Sequence, residues 1–227
     1  MRAIVIADCH GRPDLITNAL EHAKYDGKKD RFIFAGDFLD IGNDPDKCLE
    51  ILTKNNAEML WGNHEVSVLL KKPVVPQSVV SWEYQGVFQH LVRSKAWKVA
   101  AAHAGVLITH AGVSQVYWRA LGGYEEMGAD YVAHYFNSRF EVILDVPEIA
   151  MDFWASDSLL WFRPDLLAPL PGIVQVVGHT PPELIPLKDR DFYISVDPYT
   201  TNGFGPDRFR YAIIEDDEVF VFDSNEA

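Results

Sequence analysis

Arg2-Ala3-Ile4-Val5-Ile6-Ala7-Asp8-Cys9-His10, continued through Pro13 to Lys24 and closed by Arg31-Phe32-Ile33-Phe34-Ala35-Gly36-Asp37, is the stretch on which the fold turns. Its two ends are apolar, β-branched or aromatic runs. The segment between them puts Leu15, Ile16, Ala19 and Leu20 on one helical face. The pattern is strand, helix, strand. It repeats at once: Asp46 to Asn55 carries Cys48, Leu49, Ile51 and Leu52 at helical spacing, and Ala57 to Trp61 is a third short strand. Strands alternating with helices predict a largely parallel, buried sheet whose ligands gather at the carboxyl ends of the strands.

Five short cassettes sit at such ends, in a fixed order: Asp8-Cys9-His10, Gly36-Asp37-Phe38-Leu39-Asp40, Gly62-Asn63-His64-Glu65, His110-Ala111-Gly112 and Gly178-His179. Each places an Asp, Asn or His just after an apolar run, the later ones after Ala57 to Trp61, Gly105 to Thr109 and Val174 to Val177. That repeated placement carries more than any one motif.

The middle of the chain differs. Pro73 and Pro76 break it, the aromatics Trp82, Tyr84, Phe88 and Trp97 follow, and residues 124–155 read as helical and aromatic-rich, flanking the site. The aromatic stretch from Trp82 to Phe88 reads as core before it reads as a substrate platform. Pro164, Pro169 and Pro171 mark a loop. Strands are expected near 173–177, 192–196, 209–214 and 218–223, the last two joined as a hairpin around Asp216-Asp217.

A chain of 227 residues fits a single domain, read as 1–227, with one substantial core. The net charge of -13 repels phosphate, so a phosphate site must carry local positive charge, which bound divalent cations supply. The same acidity argues against a nucleic-acid surface. No apolar run approaches membrane-spanning length and the first residues are too short a signal peptide, so no membrane partner and a cytoplasmic location are expected. Cys9 and Cys48 form no disulfide framework and read as small buried hydrophobes. Cys9 should point away from its neighbours if the backbone is strand-like.

Carboxylate, amide oxygen and imidazole suit hard or borderline divalent metals, and the cassettes supply that set without a thiolate. Asp8 and His10, two apart on extended backbone, would face one side and share a metal. Asp37 could bridge to a second, completed by Asn63, His110 and His179. Two metals ~3.5–4 Å apart clamp a phosphate and lower the pKa of a bridging water toward ~7, making hydroxide available as nucleophile. The leaving alkoxide needs a proton. His64 is the expected donor, with Asp40 holding its other ring nitrogen. Gly36 and Gly62 allow tight turns that present the next side chain.

These cassettes resemble the calcineurin-like metallophosphoesterase superfamily, and within it the phosphoprotein phosphatase branch, over roughly residues 5–180. The resemblance implies an α/β fold: a four-layer αββα sandwich of two mixed sheets flanked by helices, the second sheet built from the C-terminal strands. It also implies two divalent ions, manganese first, with iron, zinc, nickel or cobalt as further candidates. Gly178-His179-Thr180-Pro181 offers one His rather than a Gly-His-x-His pair, as that branch does. The chain departs from the branch at Ile41, where an arginine usually grips phosphate. Ser158-Leu159-Leu160-Trp161-Phe162-Arg163 resembles the segment that carries a phosphate-binding arginine in bacterial and phage members. Arg163 is therefore the candidate clamp. Arg12 is the alternative, and pairing of Arg163 with Asp157 or Asp165 is the bland one.

Singly, His10 or His110 would read as an ordinary turn histidine, Asp40 as a turn cap, and Glu65 as the acidic start of a helix. His22, His90, His103 and His134 carry no motif. The expected function is hydrolysis of a phosphomonoester, on a phosphoprotein or a small phosphate. Symmetrical cleavage of dinucleoside polyphosphates is the alternative, and a metal-binding scaffold the non-enzymatic one. The partner is a phosphorylated substrate, protein or nucleotide. Its identity, the native metal and the oligomeric state stay open.

Overall fold

The first two runs form parallel strands, β1 (Ala3–Ile6) and β2 (Arg31–Phe34), with Ala3 opposite Arg31 and Ile6 opposite Phe34. Helix α1 (Pro13–His22) connects them. Pro13 suits its first turn, where an N–H would have no partner, and Leu15, Ile16, Ala19 and Leu20 are its buried face. Helix α2 (Pro45–Lys54) begins the same way, with the Asp44 carboxylate accepting from the Lys47 N–H. It leads to β3 (Glu58–Met59), parallel to β2. The computed structural model describes residues 1–73, 80–123, 127–164, 166–199 and 208–224. Pro76 and Asp165 lie outside them.

Helices α3 (Asn63–Leu70) and α4 (Gln85–Arg93) follow, separated by a short 3-10 helix, Val80–Tyr84. Then come β4 (Ala100–His103), β5 (Val106–Thr109), α5 (Gln115–Ala120), α6 (Ala129–Phe140) and α7 (Pro147–Trp154). Strands β6 (Gln175–Val177), β7 (Tyr193–Ser195), β8 (Arg210–Glu215) and β9 (Glu218–Asp223) complete the fold.

There are two mixed sheets, ordered β3-β2-β1-β8-β9 and β4-β5-β6-β7. Their inner faces meet through Ala3, Val5 and Ile33 on one side and Ala101, Ile108 and Val176 on the other, all essentially inaccessible to water. Each fully buried Val or Ile there contributes roughly 1.5–3 kcal/mol. Alternate residues face outward: Ile4 and Ile6 meet Leu15, Ile16 and Leu52 of the helices, while Leu107 joins the cluster holding Val132 and Phe136 of α6. The result is helix, sheet, sheet, helix.

The second sheet is not simply the C-terminal strands. β6 and β7 do belong to it, but the hairpin β8–β9 joins the first sheet, with β8 antiparallel to β1. The second sheet also contains β4, an alanine-rich strand that composition does not announce because alanine has little intrinsic β preference. Its antiparallel pairing with β5, Ala100 opposite Thr109, fixes it. The aromatic stretch is core as expected: Phe88 is fully buried and meets Trp61 edge-on at 5.4 Å. No described helix is long and apolar enough to cross a membrane.

Candidate functional site

Asp8 follows β1, Asp37 follows β2, Asn63 follows β3 and opens α3, His110 follows β5, and His179 follows β6. All are strand C-terminal ends, so two parallel sets of strands deliver all five cassettes to one edge of the sandwich. There Asp8, His10, Asp37, Asn63 and His179 line a cleft of about 640 Å³ together with His64, Trp161, Arg163, Asp197 and Tyr199, while His110 lies fully buried behind it, its Nε2 3.4 Å from Asp37 Oδ2.

The backbone that presents these groups is bent, not extended. Asp8, His10, Asp37, Asp40 and His179 all lie in the left-handed region, with φ between 41° and 65°. Each such residue costs on the order of 1–3 kcal/mol and persists only where its surroundings over-determine it. Here loops lace together: Asp8 N–H donates to Gly36 O at 2.9 Å, His10 N–H to Asp37 O at 3.0 Å, and Gly42 N–H to His10 O at 2.8 Å. Asp8 and His10 therefore converge by two left-handed turns rather than by strand alternation. Cys9 between them is fully buried in the core, as is Cys48.

Two carboxylates share one arrangement. Asp8 Oδ2 accepts the His179 N–H at 3.0 Å, and Asp37 Oδ1 accepts the His64 N–H at 3.0 Å. The other oxygen of each faces inward: Asp8 Oδ1 lies 3.9 Å from His10 Nε2, and Asp37 Oδ2 lies 3.7, 3.8 and 3.4 Å from Nε2 of His10, His64 and His110. Close approach explains two glycines. A Cβ on Gly62 would stand 2.1 Å from Asp37 Oδ1, and one on Gly178 would stand 1.9 Å from Asp8 Oδ2. Gly62 has ordinary φ, so it serves this contact rather than a special turn.

Backbone carbonyls orient the imidazoles. His10 Nδ1 meets Leu39 O at 2.6 Å and His110 Nδ1 meets Ala35 O at 2.9 Å, which leaves each Nε2 turned inward. His110 Nε2 meets Asn63 Oδ1 at 2.7 Å. His179 Nε2 is buried with no hydrogen-bond partner among the described residues. Burial, then the neighbouring His64, pushes His10 down to about 3, and burial takes His110 to about 3 as well. Burial and the adjacent His110 lower His179 strongly. These rings are held neutral, so each can present a nitrogen lone pair to a cation. Asp8 is pushed up by burial and then by Asp197 and Asp37, and Asp37 by burial and then by Glu65. A divalent cation would relieve that crowding.

Donor atoms of His10, Asp37 and His64 lie within 4.8 Å of one another, and so do those of Asp37, His110 and His179. Asp37 is common to both groups. The orphaned His179 Nε2, the inward lone pairs and the oxygen and nitrogen donor set fit two divalent ions. The first group takes in His64, which the sequence reading reserves for proton delivery, and leaves Asp8 at its margin. His64 Nδ1 is held by Asp40 Oδ2 at 2.5 Å, as that reading expects.

Arg163 reaches the cleft, where its Nη1 donates to His179 O at 3.1 Å. Arg12 is not among the cleft-lining residues, and its guanidinium lies 2.6 Å from Asp14 Oδ2. Ile41 is exposed and likewise absent from the lining. Asp197 and Tyr199 carry no motif in the sequence, and Glu65, which does stand in the first turn of α3 as its position implies, has a larger part than a helix-start carboxylate. Glu65, fully buried, accepts N–H bonds from Asp37, Phe38, Leu39 and Gly62 at 2.9 to 3.3 Å. Asp197, past β7, is buried, and that burial pushes it up to about 6. The Tyr199 ring stands edge-on to His10 at 5.2 Å. An acidic residue after the Tyr193–Ser195 strand was the only available signal for Asp197.

A model of the calcineurin-like phosphoesterase family matches residues 1–220. Curated relatives include the symmetrical bis(5'-nucleosyl)-tetraphosphatases of Actinobacillus pleuropneumoniae serotype 3 (strain JL03), 28% identical, and Actinobacillus succinogenes (strain ATCC 55618 / DSM 22257 / CCUG 43843 / 130Z), 26% identical. Both alignments run over 124 residues, 50% of this chain and 46% and 45% of the relatives. The chain spans about half the length of the curated relatives it matches. Among solved structures, a cold-active protein tyrosine phosphatase superposes with a TM-score of 0.68 at 15% identity, covering 97% of this chain and 78% of its own. A structure named as a candidate diadenosine tetraphosphatase gives 0.60 at 15% identity, covering 98% and 93%. These likenesses show a shared fold.

Proposed function

The chain belongs to the calcineurin-like phosphoesterase family, and from that premise we propose that it is a metal-dependent phosphohydrolase whose centre is organised on Asp37. The observation that carries this is the single inward oxygen, Asp37 Oδ2, shared by the two histidine groups. Asp8, His10 and Asp37 would hold one ion, and Asp37, Asn63, His110 and His179 the other. Divalent ions there neutralise substrate phosphate and activate water.

The chain's own groups do the rest. Arg163, at the cleft wall, offers a planar fork for phosphate oxygens, the task Ile41 cannot perform. As the P–O bond breaks, the leaving oxygen takes the proton from His64 Nε2. Asp40 keeps Nδ1–H in place, so the ring stays aligned and recovers its proton from solvent. The glycine-backed carboxylates hold Asp8 and Asp37 against backbone N–H groups, so neither rotates out of line.

For substrate, a phosphomonoester is the first reading, with residues 1–227 acting as one domain. Symmetrical cleavage of a dinucleoside tetraphosphate is the second, favoured by the names of the curated relatives. The test is hydrolysis of p-nitrophenyl phosphate, a phosphopeptide, mononucleotides and a dinucleoside tetraphosphate, side by side, with and without manganese. Manganese-dependent release of phosphate supports the first reading, and two identical nucleoside diphosphates support the second. Protein that hydrolyses none of them and retains no metal after dialysis would overturn the enzyme reading, whereas retained metal without hydrolysis would favour the metal-binding scaffold.

A further inference from the structure

The dyad His64–Asp40 does not end at Asp40. Ser81, on the short 3-10 helix Val80–Tyr84, is fully buried, and its hydroxyl donates to Asp40 Oδ1. Asp40 Oδ2 is the oxygen that meets His64 Nδ1 at 2.5 Å. Each oxygen of a carboxylate that is only 1% exposed is thus engaged by a different element: one by α3, the other by the segment preceding α4. Asp40 itself sits in the left-handed region, with φ 65°.

We propose that Ser81 is a positioning residue for proton delivery: its hydroxyl fixes the rotation of the Asp40 carboxylate and so holds His64 in line with the leaving group. This rests on the reading of His64 as proton donor. The logic is geometric. A carboxylate bonded through one oxygen can turn about its Cβ–Cγ bond, and the imidazole it holds turns with it. A second bond on the other oxygen restrains that rotation and with it the imidazole. The helix that carries Ser81 is itself anchored to the second cassette. Tyr84 packs edge-on against Phe38 at 5.6 Å, and its hydroxyl donates to Asp46. Phe38 lies between Asp37 and Asp40 in the same loop, so the aromatic segment is keyed to the loop it serves.

A merely structural serine would satisfy a buried carboxylate and nothing more. The two roles differ in how loss depends on the leaving group. p-Nitrophenolate departs without help, whereas an alkoxide from an alkyl phosphate needs the proton. The experiment compares kcat and KM for p-nitrophenyl phosphate and phosphoserine in the manganese-loaded full chain, for wild type, Ser81→Val, Ser81→Thr and His64→Asn. Valine and threonine have the same shape and differ by the hydroxyl, so a packing defect would strike both.

The expected result is that Ser81→Val lowers the ratio of kcat on phosphoserine to kcat on p-nitrophenyl phosphate by about tenfold, the scale of one hydrogen bond to a charged group. Ser81→Thr should restore that ratio, His64→Asn should lower it further, and KM should hold in both Ser81 variants. Equal behaviour of Val and Thr, or equal loss on both substrates, overturns the role of Ser81 while His64 keeps its leaving-group dependence. If His64→Asn shows no such dependence, the proton-donor reading falls and takes this inference with it.

Discussion

The Glu65 carboxylate closes on the backbone of Asp37: Oε2 accepts the Asp37 N–H at 2.9 Å and the Gly62 N–H at 3.0 Å, while Oε1 accepts from Phe38 and Leu39 at 3.0 and 3.3 Å. One fully buried side chain therefore ties the second cassette to the third. Glu65→Gln turns one acceptor into a donor facing two N–H groups, each worth about 1–3 kcal/mol if left unsatisfied. The expected outcome is a roughly 10–100-fold loss of manganese affinity, the usual scale for groups that orient ligands, with a lowered melting temperature. Calorimetric titration checks it. Unchanged affinity would mean that packing alone holds the loop.

Arg163 lines the cleft and Arg12 does not. Arg163→Ala should therefore raise KM roughly tenfold or more, the scale of a charge-assisted hydrogen bond, with a smaller change in kcat. Arg163→Lys should recover only part of it, since an ammonium cannot reproduce the fork. Steady-state kinetics on p-nitrophenyl phosphate decide the matter, and an unchanged KM would return the clamp to Arg12 or to the metal ions.

Asp197 gives a pH dependence whose sign is fixed. Burial raises its carboxyl from 3.8 to about 6, so between those values the folded metal-free protein binds more protons than the unfolded chain. Stability then falls as pH rises through that window, and the penalty is complete above about 6. Asp197→Asn removes the charge and should stabilise the metal-free protein above pH 6 by up to about 3 kcal/mol, at about 1.4 kcal/mol per pKa unit, with no gain near pH 4. His10 and His110 act in the opposite direction as pH falls below 6.5, which is why the comparison is between variant and wild type at each pH. Urea unfolding at pH 4 and pH 7.5 measures it. Destabilisation by the variant at pH 7.5 would contradict the account.

Much of this site is legible in the sequence because parallel strands end where their ligands begin, so a polar residue after an apolar run is itself a positional statement. Asp8, Asp37, Asn63, His110 and His179 stand out that way, and the structure gathers them at one edge of the sandwich. The local geometry was not legible. Asp8 and His10 share a face through two left-handed turns, and no strand rule anticipates that. Glu65 is the helix-start carboxylate its position implies, but its further role, accepting N–H groups 26 to 28 residues earlier, has no trace in the local sequence. Ser81 and Asp197 carry no motif, since their meaning comes only from what the fold brings beside them. The strand Ala100–His103 hid for a related reason: alanine adopts the state its partner strand imposes.

The central claim is that Asp37 serves two ions at once, and metal content tests it most directly. After loading with manganese and dialysis, elemental analysis of the wild-type chain should give two ions per chain, and Asp37→Asn should retain neither at full occupancy while losing phosphatase activity. Wild-type protein that holds no metal, or an Asp37→Asn variant that holds two as firmly, would contradict it.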